Sequence, residues 1–165
     1  MNPLRDMQQA ARDTVAPALT WTLWLFALNL AWEVVQLPLY ALGRYSGWAD
    51  LGYAVLHCTL GDAAMAFAAY LIAALVTQEP RWLLRRPLTG LAVVLVAGES
   101  FTIWAEWYNV YVLHSWAYAA RMPTIRGIGV APLAQWLVLP VLALVVLRYL
   151  HRHRLAAQVP KPARR

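Results

Sequence analysis

Five ionisable side chains lie inside stretches of sequence that are apolar enough to cross a membrane. They are four of the eight carboxylates and one of the four histidines: Glu33, His57, Asp62, Glu99 and Glu106. An ionisable group in the hydrocarbon core of a bilayer costs about 2.5–3.5 kcal/mol by insertion scales. Several such groups in one short chain indicate that they face one another and act together. We take these five residues as the candidate catalytic groups.

Acid–base catalysis is the chemistry that fits this set of side chains. A carboxyl group held away from water can keep its proton at neutral pH and then serve as a general acid. A second carboxylate, or His57, can hold or return the proton. Aromatic rings beside the acids could stabilise a carbocation through their π faces. The pattern predicts an isomerase or cyclase of a lipid-soluble, isoprenoid-like substrate, with Glu33 as the first candidate acid.

Helical spacing brings further polar and aromatic side chains alongside the acids. Asn29, Glu33 and Gln36 follow one another at i, i+4 and i+7, which is one face of a helix. A similar stripe runs along the third apolar stretch, whereas the fourth offers only Gln135. The predicted substrate-binding residues lie on or beside these stripes and are Asn29, Trp32, Gln36, Trp104, Trp107, Tyr108, Asn109 and Gln135.

A metal centre is the second interpretation of the same residues. One divalent ion could be held by Glu33, His57, Asp62 and Glu106. The Glu-x-x-His spacing of di-iron helical bundles is not met, since Ala54 stands three residues before His57. No other cofactor is predicted. A proton- or ion-coupled carrier, an accessory subunit and a set of groups that only satisfy one another are the remaining interpretations.

The composition places these residues in a membrane protein. The chain is 61% hydrophobic and 13% charged, whereas soluble domains carry about 25% charged residues. Four apolar stretches approach or exceed the ~20 residues that cross a bilayer as a helix. We predict an all-α fold, a polytopic bundle of four transmembrane helices at about 19–40, 51–76, 88–113 and 130–150, between an N-terminal segment (1–18) and a basic tail (151–165).

The basic residues predict the orientation of this bundle. Eleven of the fourteen lysines and arginines fall in the N-terminal segment, in residues 81–86 and in the chain from Arg148 onward. With four spans these regions share one side, which the positive-inside rule assigns to the cytoplasm. Both termini are therefore expected in the cytoplasm of a bacterial-type inner membrane. The loops with Arg44 and with Arg121 and Arg126 are expected to face outward.

The expected partners are the lipid membrane and a lipid-soluble small molecule, with no nucleic acid. The chain acts alone or as a homo-oligomer, and its single cysteine, Cys58, excludes an intrachain disulfide. Helical rise places most of the acids in the outer half of the bilayer, beneath an aromatic loop from His114 to Gly129. That loop either covers the bundle as a lid or lies at the interface, held by Trp116 and Tyr118.

Several strings, among them Ala31–Tyr40, His57–Asp62 and Glu106–Val110, together resemble a group of small uncharacterised bacterial membrane proteins. That resemblance covers most of the chain and implies no function. The string Asn29-Leu-Ala-Trp-Glu33 is similar to the Asn-x-x-Trp-Glu string of integral-membrane terpene cyclases of meroterpenoid pathways. This similarity implies that Glu33 protonates an epoxide or an alkene.

A further similarity is to the sterol-isomerase and sigma-2-receptor membrane family. It rests on Glu33–Pro38 followed by His57, and on Trp136–Pro140. It implies a small helical bundle with buried acids beneath aromatic residues.

Overall fold

A computed structural model describes residues 3–41 and 47–157 of the chain. In these residues the helices are α1 (Pro3–Gln36), α2 (Trp48–Thr77), the short α3 (Trp82–Arg85), α4 (Pro87–Trp107) and α5 (Val130–Ala157). A 3-10 turn, Leu37–Leu39, follows α1, and a π-helical turn, Tyr108–Val112, follows α4. Two short strands, β1 (Thr124–Ile125) and β2 (Ile128–Gly129), pair antiparallel before α5.

Four of the helical stretches are long and apolar enough to cross a membrane: Arg12–Leu39, Trp48–Thr77, Pro87–Val112 and Val130–His153. The predicted all-α, four-helix membrane bundle is thereby confirmed. α1 packs against α2 and α5, and α4 packs against the same two helices, so the four long helices form a closed ring.

The N-terminal segment does not stand apart from the first span, because α1 begins at Pro3 and continues as one helix of 34 residues. At about 1.5 Å per residue this helix is about 51 Å long, which exceeds the thickness of the hydrocarbon core. α5 likewise continues past residue 150 to Ala157. Arg44 and the predicted tail beyond residue 157 lie outside the described residues.

One end of the bundle, here called the basic end, carries α3 and its arginines. Arg81 forms an ion pair with Asp13 of α1, and Arg148 Nη1 of α5 donates to the carbonyl oxygen of Leu83 at 2.8 Å. These contacts bring the start of α1, the α2–α4 connection and the end of α5 together. The described arginines in those three regions therefore share one end of the molecule, as the sequence predicts.

The basic end is filled by aromatic rings. Trp21, Tyr70 and Trp82 are fully buried and in mutual contact, with the ring centroids of Trp21 and Trp82 5.5 Å apart in an edge-on arrangement. α4 approaches this cluster through Gly90, where a Cβ atom would lie 2.1 Å from Trp82 Cε3. The aromatic cluster of α1, α2 and α3 thus packs against α4 through the contact of Trp82 with Gly90, where a larger residue would not fit.

The buried face of α4 repeats every four residues, as Gly90, Val94, Gly98, Thr102 and Glu106. Spacing of four keeps these side chains along one side of the helix. The side chains on this face are small or apolar near the basic end and polar, as Thr102 and Glu106, toward the opposite end of the bundle. That opposite end, here called the loop end, carries residues 113–129 and the functional groups described next.

Candidate functional site

A cavity of about 280 Å³ lies at the loop end, enclosed by α1, α2, α4 and α5. Its walls carry three carboxyl groups from three helices: Glu33, Asp62 and Glu106. Gln135 and Trp136 of α5 complete the ring. Among the described residues that line the cavity there is no lysine or arginine. The volume is close to the lower end of ligand pockets, about 300 Å³, and the lining concentrates acids without a fixed cation.

The amide of Gln135 connects four polar side chains from α1 and α2. Its Nε2 atom donates to Asn29 Oδ1 and to Asp62 Oδ2, both at 2.8 Å, and lies 3.3 Å from Glu33 Oε1. Its Oε1 atom accepts from Gln36 Nε2 at 3.3 Å. A side-chain amide has two hydrogens, so three acceptors compete for two donors at this nitrogen.

Gln36 fixes the position of Glu33. Its Nε2 atom donates to Glu33 Oε1 at 2.8 Å, and its Oε1 atom accepts from the indole nitrogen of Trp32 at 3.1 Å. These side chains lie within two turns of α1, as the predicted stripe requires. Asn29 and Trp32 do not line the cavity. Asn29 binds the amide of Gln135 and Trp32 binds that of Gln36, so both residues position amides that do line it.

Glu106 accepts hydrogen bonds from three aromatic side chains. Oε2 accepts from the Tyr118 hydroxyl at 2.5 Å and from Trp116 Nε1 at 3.4 Å, and Oε1 accepts from the Tyr40 hydroxyl at 3.3 Å. The Tyr118 hydroxyl in turn accepts from the backbone N–H of Gly129 at 2.9 Å. Glu106 is only 6% exposed, so these donors replace the water that it loses on burial.

The loop between α4 and α5 carries two of these donors and is attached to the end of α1. The backbone N–H of Ala41 donates to Ala117 O at 2.8 Å, and that of Ala119 donates to Leu39 O at 3.0 Å. Arg121 Nε donates to Pro38 O at 2.6 Å. Because Trp116 lines the cavity, this segment forms one wall of the site.

Burial raises the pKa of Tyr118, and its hydrogen bond to Glu106 raises that pKa further. Burial likewise raises the pKa of Tyr40, with the nearby charge of Glu106 as the next cause. Both phenols therefore stay protonated across the ordinary pH range. They act as fixed donors to Glu106 and not as groups that exchange protons with a ligand.

His57 lies on the exposed side of α2, at the edge of the cavity lining. Its ring stacks on that of Tyr53, with the centroids 5.8 Å apart and the planes 21° apart. Tyr53 is itself 71% exposed. His57, which was predicted to group with the acids, therefore lies at the rim of the cavity and not at its centre.

The metal centre that the sequence left open does not form. Within residues 3–41 and 47–157, no three histidine, cysteine, aspartate or glutamate side chains come together in a way that could hold a metal ion. Of the predicted ligands, Glu33 and Asp62 share a partner in Gln135, whereas Glu106 binds aromatic donors at the loop. Asp62 turns inward to Gln135, and His57 turns outward to Tyr53.

Four of the predicted site residues lie away from the cavity and from the amides that line it. Glu99 is absent from the lining, and its Oε1 atom is buried without a hydrogen-bond partner. Trp104 and Trp107 are about half exposed on the outer surface of α4, and Tyr108 stacks on Trp104. Asn109 does line the cavity, where its amide donates to the backbone oxygen of Ala105 at 2.9 Å.

Tyr40, Trp116, Tyr118 and Trp136 contact the acids or line the cavity but lie outside the predicted site. The only sequence signal for Tyr40, Trp116 and Tyr118 was the aromatic character of the segments that follow α1 and α4. Trp136 could have been found from its place beside Gln135.

Comparison with known proteins leaves the cavity without an assigned role. The chain matches no family model, no curated protein and no solved structure. The resemblances drawn from short strings of sequence therefore rest on those strings alone. What the cavity does is inferred from the side chains around it.

Proposed function

We propose that the chain is a membrane enzyme that adds a proton to, and removes a proton from, a lipid-soluble substrate held in the cavity. The observation that carries this proposal is the Gln135 amide, which joins the carboxyl groups of Glu33 and Asp62 at the wall of a cavity large enough for part of a ligand. The two acids come from different helices, so a substrate between them would meet both.

The lack of a cation beside the carboxylates supports this use of the acids. Glu33 and Asp62 accept from the neutral donors of Gln135, Gln36 and Trp136, but no described lysine or arginine lines the cavity to balance their charge. Uncompensated charge in such surroundings is costly. A carboxyl that keeps its proton removes one charge and supplies a donor, and that donor can be turned toward a substrate.

The reaction class that fits is movement of a carbon–carbon double bond, or ring closure, in an isoprenoid-like substrate. Glu33 donates its proton to one carbon of an alkene, which leaves a carbocation. The carboxylate of Asp62 then takes a proton from a neighbouring carbon, and the double bond forms there. No oxidant or reductant is consumed. The rings of Phe101, Trp116 and Trp136 line the cavity and offer π faces to the cation.

Solvent deuterium tests this reaction with a mixture of lipids as the source of substrate. Purified protein in lipid nanodiscs is transferred to D₂O and incubated with a bacterial total-lipid extract, and the lipids are analysed by mass spectrometry. A deuteron on the carboxyl of Glu33 ends on carbon, so we expect carbon-bound deuterium in a lipid. Glu33→Gln and Asp62→Asn remove the acid or the base and lower incorporation by about 100-fold or more.

Glu99→Gln is the matched control, because Glu99 is a carboxyl in an equally apolar helix but lies away from the cavity. This variant is expected to keep the incorporation of the unmodified protein. Equal incorporation by Glu33→Gln, or none above background by the unmodified protein, would contradict the proposal. Loss in Glu99→Gln alone would move the chemistry to another part of α4.

We also infer that the basic end faces the cytoplasm, which places the cavity in the outer half of the bilayer. This inference is supported by the arginines of three separate regions at one end and by the positive-inside rule. The lipid membrane and a lipid-soluble small molecule are then the partners of the site.

A further inference from the structure

The exposed members of the cavity lining mark where the cavity is open. They are Ala41 at the loop end, His57 and Gly61 on α2, and Phe101 on α4. Gly61 and Phe101 lie well inside the candidate spans. By helical rise Gly61 lies about 20 Å from the start of α2 at Trp48, and Phe101 lies about 17 Å from the end of its span at Val112, so the two residues are at a similar depth. The gap between them therefore faces hydrocarbon and not water.

Gly61 leaves this gap empty. A Cβ atom built on Gly61 meets no atom within 4 Å, whereas one built on Gly98 would lie 2.2 Å from Trp136 Cε3. Close packing thus accounts for the glycine at position 98 but not for the one at position 61. Glycine inside a helix is less favourable than alanine by about 1 kcal/mol. Of the two α2 glycines with open surroundings, Gly52 and Gly61, Gly61 is the one that lines the cavity.

The volume of the cavity limits how much of a ligand it can enclose. Its volume of about 280 Å³ is below the ~300–1,000 Å³ of pockets that enclose most of a small ligand. A long apolar chain cannot fit inside, and its remainder must leave through an opening.

We propose that the cavity opens sideways into the bilayer between α2 and α4, and that its ligand is a long-chain isoprenoid amphiphile. The reacting end lies between the acids, and the chain leaves past Gly61 and Phe101 into the hydrocarbon. The proposal deepens the proposed function, since it uses the same site and names the shape of the substrate. It makes Gly61 the residue that determines the permitted chain length.

Binding of two radiolabelled prenyl alcohols to nanodisc-embedded protein tests this proposal: geraniol, which is short, and solanesol, which is long. Gly61→Leu fills the gap and is expected to lower solanesol affinity by about tenfold, because contact with several methylene groups is lost. Geraniol fits within the cavity and is expected to keep its affinity. Gly52→Leu is the matched control, since Gly52 is on the same helix with equally open surroundings but lies outside the lining.

Thermal unfolding of both leucine variants checks that the fold is kept. Equal binding of solanesol by Gly61→Leu and the unmodified protein would overturn the proposal, as would equal weakening of both alcohols or failure of the unmodified protein to bind solanesol. Binding needs no turnover. A selective loss of solanesol in Gly61→Leu would therefore stand even if the deuterium experiment showed no chemistry.

Discussion

Tyr118 makes the shorter of the two hydrogen bonds that attach the loop to Glu106, the other coming from Trp116. Its hydroxyl donates to Glu106 at 2.5 Å and accepts from the N–H of Gly129 at 2.9 Å. Tyr118→Phe leaves Glu106 with one donor fewer and the Gly129 N–H without its acceptor. We expect a loss of about 1–3 kcal/mol in the free energy of unfolding, measured by thermal unfolding in nanodiscs.

Tyr111→Phe is the control for this measurement, because Tyr111 donates from an exposed position to Gly127 O of the same loop. Its loss should cost less than about 1 kcal/mol, since water replaces the exposed hydrogen bond. An equal effect of the two substitutions would show that Tyr118 acts only through general packing of the loop.

Alkaline pH should remove the contribution of Tyr118. Burial, and then the bond to Glu106, raises the pKa of Tyr118 in the folded protein, whereas tyrosine in the unfolded chain titrates near about 10. The folded state thus favours the protonated phenol. Its stabilisation is complete below about pH 10 and is lost as pH rises beyond that value toward the folded pKa.

The difference in melting temperature between the unmodified protein and Tyr118→Phe is therefore expected to stay constant from about pH 6 to about pH 9 and to shrink above about pH 10. A difference that shrinks on acidification and not on alkalinisation would contradict this assignment.

Gln135 shows how far single residues could be placed from the sequence. Helical periodicity gives the face of a helix on which a side chain lies, and it correctly grouped Asn29, Glu33 and Gln36. It cannot give the rotation of one helix relative to another. Gln135, which has no polar neighbour on its own helix face, therefore could not be recognised as the amide that joins four polar side chains.

At the scale of elements, the prediction for α4 was wrong at one residue for a related reason. The expected polar stripe comprised Glu99, Thr102, Glu106 and Asn109. The last three line the cavity, but Glu99 does not, because the buried face passes through Gly98. One residue changes the direction of a side chain by about 100° on a helix. The close approach of α4 to Trp136 decides this rotation, and small residues that permit such an approach carry no polar signal.

Gly98→Ala tests the importance of that approach. The added Cβ would lie 2.2 Å from Cε3 of Trp136, so the buried indole would have to shift from its packed position at the wall of the cavity. We expect a loss of about 1–3 kcal/mol, typical of an overpacked core, despite the better helix propensity of alanine. Thermal unfolding measures the change.

Gly61→Ala adds the same methyl group where nothing lies within 4 Å. It should leave the stability unchanged or slightly higher, as helix propensity alone predicts. If Gly98→Ala were as stable as Gly61→Ala, the contact between α4 and Trp136 would be looser than described.

At the scale of the whole molecule, the two ends of the bundle have different roles. The basic end is closed by the aromatic core of Trp21, Tyr70 and Trp82, and the loop end holds the cavity and the acids. The number of spans could be predicted because the thickness of the bilayer sets the length of an apolar helix. The gathering of arginines at one end could be predicted because basic segments that alternate with four spans fall on the same side. The sequence also predicted that the acids converge beneath the aromatic loop, but the size of the cavity and the identity of its lining depend on contacts between distant segments.

The orientation of this asymmetric bundle is the last prediction. Cys58 is the only cysteine, so Cys58→Ser gives a background in which one exposed cysteine can be placed at either end. Ala120→Cys reports on the loop end and Leu84→Cys on the basic end, both at exposed positions. Because the arginines favour the cytoplasmic side, an impermeant maleimide on intact bacterial spheroplasts should label Ala120→Cys, and should label Leu84→Cys only after lysis. The opposite pattern would place the cavity in the inner half of the bilayer, so its substrate would then have to be drawn from the cytoplasmic leaflet.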